Sequence, residues 1–163
     1  MLNFQGRIRK FGDNIDTDII APNKWMHEEM EILKQHAFET VRPNFHQQVT
    51  QGDILVVGRN FGYGSHREQA NTVLKVFGIS VIIADSMARI YFRNCIALGM
   101  PTVILPGISN YLNEDDKVAI TLNQQGGSIK RDDGWEMQIP PLPDMFFKMI
   151  EQGGILPVLA KML

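Results

Sequence analysis

Gly58-Arg59-Asn60-Phe61-Gly62-Tyr63-Gly64-Ser65-His66-Arg67-Glu68-Gln69-Ala70 joins two runs of opposite character, and its reading decides the fold. Before it, Asp53-Ile54-Leu55-Val56-Val57 is short, apolar and β-branched, the composition of a strand buried on both faces. After it, Ala70, Val73, Leu74 and Phe77 recur at helical spacing. The stretch is therefore a strand-to-helix turn. Glycine at 58, 62 and 64 permits positive φ and close approach of the backbone to a ligand. The following helix aims unbonded N–H groups and its positive dipole end at whatever lies over Ser65, which suits an anion.

Outward from the turn, the same alternation continues. Ile79 to Ala84 reads as a second buried strand, Ser86 as the N-cap of a helix running through Leu98 and closed by Gly99, and Pro101 to Leu105 as a third strand. Strand, helix, strand, helix, strand implies parallel pairing through right-handed crossovers. Upstream, Leu2 to Phe11 is a strand pattern. It gives way to Gly12-Asp13-Asn14-Ile15-Asp16-Thr17-Asp18, whose crowded carboxylates repel one another unless solvent, a cation or an arginine offsets them. Taken by itself this loop reads as a solvated turn, and it lacks the downstream glycine and glutamate of an EF-hand. Glu28 to Phe38 is the next helix, ended by Arg42-Pro43-Asn44-Phe45. Beyond Pro106 the texture changes to hairpins over Lys117–Leu122, Ser128–Lys130 and Trp135–Ile139, with two short helices at Asp144–Met149 and Ile155–Leu163. With no repeat or long linker, the expectation is one α/β domain over 1–163, a parallel βαβ core with added β-hairpins and short C-terminal helices.

Composition narrows the function. The 163 residues are 44% hydrophobic and 21% charged, with a net charge of −2. The isoelectric point near 6.1 and the absence of a basic tract argue against nucleic acid or an anionic membrane as partner. The single cysteine, Cys95, allows no disulfide framework, and the chain alone cannot ligate an iron–sulfur cluster or a thiolate zinc. Cys95 reads as a small core residue, and His36 and His46 as surface residues without metal-ligand spacing. Met1 to Lys10 has no apolar signal core and no run approaches a membrane span, so a cytoplasmic location is expected.

The turn fails the familiar templates. Gly62 and Gly64 fit a dinucleotide fingerprint, but Arg67 stands where the third glycine must allow close packing. There is no Gly-Lys-Ser/Thr for a phosphate loop, and Ser65 lacks the Gly-x-Ser-x-Gly of a nucleophile elbow. What remains is serine, histidine and arginine at a helix N-terminus, either an anion site or a structural turn.

Asp16-Thr17-Asp18-Ile19-Ile20, Gly62 to Ala70, Ser86-Met87-Ala88-Arg89-Ile90, and Asn94 with Leu98-Gly99-Met100-Pro101 resemble, in order and spacing, the small subunits of the 3-isopropylmalate dehydratase and homoaconitase group, the free-standing form of the aconitase swivel domain. The resemblance extends to Gly-Gly-Ile-Leu-Pro at 153–157. It implies an aconitase swivel-like fold and a hydro-lyase inactive alone, completed by a large subunit that carries a [4Fe–4S] cluster. By the same resemblance Ser65 is the catalytic base and Asp18 an acidic active-site residue. Arg67, His66, Gly64, Trp25 and His27 then meet a small di- or tricarboxylic hydroxy acid. The substrate implied first is 3-isopropylmalate of leucine biosynthesis, with 2,3-dimethylmalate or homoaconitate-type acids as rivals. A non-catalytic anion-binding regulatory module is the other reading, and a homo-oligomer of the isolated chain stays open.

Three positions depart from the group's Gly-Ser-Ser-Arg-Glu-His-Ala pattern. Tyr63, His66 and Gln69 replace the frequent cysteine, the second serine and the histidine. His66 puts a larger, titratable donor where that serine would bind substrate. The arginine that aconitases place shortly after the Trp25 position is missing, since His27-Glu28-Glu29 follows Trp25-Met26, and this favours dicarboxylic over tricarboxylic substrates.

Overall fold

A computed structural model describes residues 1–163. The strands are β1 (Leu2–Lys10), β2 (Ile54–Val57), β3 (Val81–Ala84), β4 (Thr102–Ile104), β5 (Lys117–Asn123), β6 (Gly126–Arg131) and β7 (Glu136–Ile139). Interleaved are α1 (Thr17–Ile20), α2 (Met30–His36), α3 (Phe45–Gln48), α4 (Glu68–Val76), α5 (Arg89–Ala97), α6 (Asp144–Gln152) and α7 (Ile155–Met162). No helix is long and apolar enough to cross a membrane.

All seven strands lie in one sheet, in the order β4-β3-β2-β1-β5-β6-β7. β1 joins its two halves: Ile8 to Lys10 pair in parallel with Ile54 to Val56, while Leu2 to Arg7 pair antiparallel with Leu122 to Lys117. The expected parallel core is therefore β1 to β4, and the hairpins extend the same sheet from the other side of β1.

Every residue of β2 and β3 is buried, and strand alternation divides them between two cores. Leu55, Val57, Ile82 and Ala84 face Leu33 of α2, Val73 and Leu74 of α4, and Tyr91 and Cys95 of α5. Ile54, Val56, Val81 and Ile83 face Ile108, Leu112, Val118 and Phe147 on the opposite side. Fully burying such a side chain stabilises by about 1.5–3 kcal/mol, so the uninterrupted apolar runs suffice to fix these strands in the centre. Beside the first core, Phe11 stacks on Phe38 at 4.3 Å and meets Phe45 edge-on at 5.1 Å.

Some element boundaries shift for identifiable reasons. Ser86 does not cap α5: its hydroxyl accepts from the Asn60 amide at 2.7 Å, a bridge pairs Phe61 with Met87, and the Ala88 amide donates to the Phe61 carbonyl at 2.9 Å. These bonds keep residues 86–88 extended, so α5 begins only at Arg89. α2 is shorter than its apolar periodicity, because Ala37 turns extended and Phe38 takes a φ of 60° to enter the aromatic cluster. Nor are the histidines free at the surface. His36 stacks on Trp25 at 3.7 Å and bonds Glu39, while His46 is half-buried on α3.

Outside the apolar cores, Arg9 is buried and meets Asp53, also buried, at 2.7 Å, and its Nη1 reaches Glu114 at 3.2 Å. Burial alone would raise the Glu114 carboxyl, but bonds from Arg42, the Lys10 amide and Arg9 hold it below its ordinary range. Replacing Arg9 by Met leaves the Asp53 charge buried without a partner and should cost about 3–5 kcal/mol, read from the urea midpoint at unchanged slope. Adding Asp53→Asn should recover a large part of that loss. A change under about 1 kcal/mol in the single variant would show that solvent screens the pair.

Candidate active site

The turn leaves β2 at Gly58 and enters α4 at Glu68; Phe61, buried edge-on against Tyr91 at 5.4 Å, is its apolar anchor, and backbone bonds hold the rest. The Gly62 amide donates to the Ile15 carbonyl at 2.7 Å, and the Thr17 amide to the Tyr63 carbonyl at 2.9 Å. The Thr17 hydroxyl donates to the Ser65 carbonyl at 2.8 Å. Gly62 and Gly64 take φ of 76° and 97°, and a β-carbon at Gly62 would overlap the Tyr91 ring. This geometry lifts Ser65 into the open, exposed, with its hydroxyl bonded to no group of the chain.

The acidic loop is the turn's scaffold, and none of its carboxylates is merely solvated. Asp13 accepts from the Arg59 amide at 2.7 Å, and Asp16 caps α1 through the Ile19 amide at 2.8 Å. Asp18 accepts from Arg67 Nη1 at 2.8 Å and from the Asn23 amide at 2.9 Å. The Arg67 hydrogen bond, then the Asn23 amide and the guanidinium charge, hold the Asp18 carboxyl below its ordinary value. Arg67 also donates to the Ala21 carbonyl at 3.2 Å, and its side chain is only 15% exposed against 59% for Asp18. Asp18 therefore positions the guanidinium from behind, outside the lining of the cleft.

In front of the turn lies a cleft of about 560 Å³, walled by Thr17, Gly62 and Gly64 to Arg67 on one side and by residues 88–91, Arg93 and Asn94 of α5 on the other, with Asn71 between them. No aspartate or glutamate lines it, although acids outnumber bases in the chain. α4 and α5 both begin at this cleft, and neither has a side-chain cap, so two positive helix ends add to the charge of Arg67, Arg89 and Arg93. His66 Nδ1 meets Asn94 Nδ2 at 3.0 Å, linking the turn to α5. Asn71, 1% exposed, donates to the Tyr91 carbonyl and the Cys95 sulfur, both at 3.2 Å, while its Oδ1 has no partner in the chain. Tyr91 donates to the Ala70 carbonyl at 2.7 Å, so the two helices are locked together beneath the cleft. Burial pushes the Cys95 thiol up to about 12, which leaves it protonated and inert.

The structure thus brings together Gly64, Ser65, His66 and Arg67, with Asp18 one bond behind. It does not bring Trp25 or His27 to the cleft wall. The Trp25 ring lies against His36, its Nε1 donates to Glu39 at 3.3 Å, and Lys24 sits 4.9 Å from its centre. Those contacts occupy the indole ring that the resemblance placed against the substrate. Arg89, Arg93, Asn94, Thr17 and Asn71 are the lining residues to which sequence reasoning gave no role. The one signal available was the four-residue spacing of the two arginines, which puts them on one helix face.

Comparison with known proteins gives a consistent picture. The model of the aconitase C-terminal domain matches residues 1–106, which span the parallel half of the sheet and the whole cleft. The chain is 42% identical to the 3-isopropylmalate dehydratase small subunit of Sulfurisphaera tokodaii, over 96% of this chain and 93% of that protein. It is 39% identical to the methanogen homoaconitase small subunit of Methanothermobacter thermautotrophicus, over 93% and 87%. A crystal structure of 3-isopropylmalate dehydratase from Methanocaldococcus jannaschii superposes with a TM-score of 0.89 at 32% identity, covering 99% of this chain and 95% of that one.

Because the folded pKa of Asp18 is depressed, its clasp on Arg67 is complete above the ordinary carboxylate range and is lost as pH falls through the lowered value. In Arg67→Gln the Asp18 carboxyl should titrate at higher pH, moving back toward 3.8, as followed by carboxyl carbon NMR. An unchanged midpoint would mean that the two groups do not interact in solution.

Proposed function

The chain belongs to the aconitase C-terminal domain family, and from that premise we propose that it is the small subunit of a hydro-lyase that moves a hydroxyl between adjacent carbons of an alkyl-malate, 3-isopropylmalate of leucine biosynthesis first among them. The observation that carries the reading is the joint presentation of a free Ser65 hydroxyl and an oriented Arg67 guanidinium in a cleft without carboxylates. A non-catalytic anion-binding module would need the guanidinium but not the unbonded hydroxyl beside it. A cytoplasmic location goes with the biosynthetic reading.

The chemistry of this chain's residues follows from their surroundings. Ser65 is a weak base unless positive potential favours its alkoxide, and two uncapped helix ends with Arg67 supply that potential. Its oxygen takes a proton from the carbon next to a carboxylate. The C–H electron pair becomes the new C=C bond, and the hydroxyl on the neighbouring carbon leaves with its own pair. Rehydration with the carbons exchanged completes the isomerisation. Arg67 grips a substrate carboxylate through its planar fork, and Asp18 fixes the direction of that fork. His66, held by Asn94, borders the same space and takes the place of the smaller serine usual in the group.

A [4Fe–4S] cluster does not fit this chain, whose lone cysteine is buried and protonated and which has no cluster of metal-binding side chains. We assign it to a large partner subunit, where it would supply a Lewis acid for the substrate hydroxyl. The gap at residues 27–29, where no arginine stands, supports a preference for dicarboxylic alkyl-malates over citrate-like acids.

The purified chain should be inactive alone and gain hydro-lyase activity on addition of the cluster-bearing subunit. In that complex Ser65→Ala should lower kcat by about 100-fold or more with KM little changed, the size of effect expected for a general base. Arg67→Lys should mainly raise KM, because an ammonium cannot reproduce the bidentate grip. Small and equal effects in both variants would reduce the turn to a structural element.

A further inference from the structure

Arg89 and Arg93 break two local rules at once. Arg89 opens α5, where a cation opposes the positive helix end, and Arg93 lies four residues on, where a like charge repels it. Nothing in the chain relieves them. Every other arginine has a carboxylate: Arg7 has Asp115, Arg9 has Asp53, Arg42 has Glu114, Arg59 has Asp13, Arg67 has Asp18 and Arg131 has Asp116. Only the two arginines of α5 are without one, and both line the cleft that holds Ser65 and Arg67. Natural sequences tolerate such local conflicts where a ligand resolves them.

We propose that Arg89 and Arg93 form a second carboxylate subsite, so that this chain by itself spans a dicarboxylate, with one carboxylate on Arg67 and the other on α5. The inference rests on the hydro-lyase reading for the identity of the acid, while the preference for two carboxylates follows from the charges alone. Two facts favour a small ligand over an acidic surface of the partner. The arginines share their cleft with Ser65 and His66, and Asn94 of the same helix already reaches across it to His66. Both arginines also border a smaller hollow of about 260 Å³ walled by Met87, Phe92, Ile104 and Phe146, which suits their aliphatic stems and leaves the guanidinium groups for the anion. A vicinal dicarboxylate gains a charge-assisted contact at each end, whereas a hydroxy acid with one carboxylate gains only one.

The experiment has two arms. In the first, the isolated chain is titrated by amide NMR with 3-isopropylmalate and with the monocarboxylate 2-hydroxy-4-methylpentanoate, at low and high salt. The dicarboxylate should bind at least tenfold more tightly, the advantage should shrink with salt, and Arg89→Gln/Arg93→Gln should abolish it while leaving the monocarboxylate affinity within about twofold. Both residues are exposed, so glutamine at either position leaves the buried core untouched, and an unchanged amide spectrum away from the cleft verifies the fold. In the second arm the double variant is assembled with the large subunit. KM should rise tenfold or more, with kcat and the assembly affinity within about threefold of the wild type. Equal binding of both acids by the wild-type chain, or an unchanged KM with weakened assembly, overturns the subsite; the latter result gives the arginines to the partner's carboxylates. If the wild-type complex turns over no malate-type acid while the isolated chain keeps its dicarboxylate preference, the hydro-lyase reading fails and the subsite stands.

Discussion

The bond between Arg67 and Asp18 is the contact on which the cleft's organisation depends, because it ties together segments 49 residues apart that do not share a strand pair. The turn after β2 holds the proposed site residues with Phe61 as its buried apolar anchor, and the loop after β1 carries carboxylates that would repel one another. Each supplies what the other needs. Asp18 takes the charge of Arg67, Asp13 takes Arg59, and the Thr17 hydroxyl and amide donate to the carbonyls of Ser65 and Tyr63. The parallel pairing of β1 with β2 places the two segments side by side, since both leave the same edge of adjacent strands.

With its acids turned outward, the cleft is left with positive charge only. That constraint accounts for the rest of the proposed site. A serine hydroxyl without a general base beside it becomes a base only through potential, and here the potential comes from two uncapped helix ends and the adjacent Arg67 guanidinium. The buried contacts of Asn71 and Tyr91 keep the two helices in fixed relation, so the positive ends do not drift apart. A cluster bound elsewhere, on a partner, is compatible with this division: this chain would contribute base and carboxylate grip, and its lone thiol stays in the core.

Much of this was legible in the sequence. The buried runs at 53–57 and 79–84 could only be central parallel strands, and the Gly-rich change of texture after Pro106 marked the hairpins. The strand-to-helix turn was readable because its glycines and the helix that follows are local features. What was not legible depended on contacts distant in sequence. Ser86 looked like a cap, whereas the Phe61–Met87 bridge holds it extended, and Trp25 was expected at the substrate, whereas its ring stacks on His36 at 3.7 Å. Arg89 stood in the Ser86-to-Ile90 motif without a role of its own, and Arg93 drew no reading. Their importance is a matter of missing partners, which depends on where the chain's acids lie in space and not on how many it has.

The account's central claim is that the proton on the reacting carbon passes to Ser65 of this chain. It is tested most directly by incubating the assembled complex with 3-isopropylmalate in D2O and following deuterium incorporation at that carbon by NMR. The wild-type complex should incorporate deuterium. The same complex with Ser65→Ala should show none on the same timescale while still binding the acid. Incorporation at the wild-type rate without the hydroxyl would contradict the claim and move the base to the partner subunit.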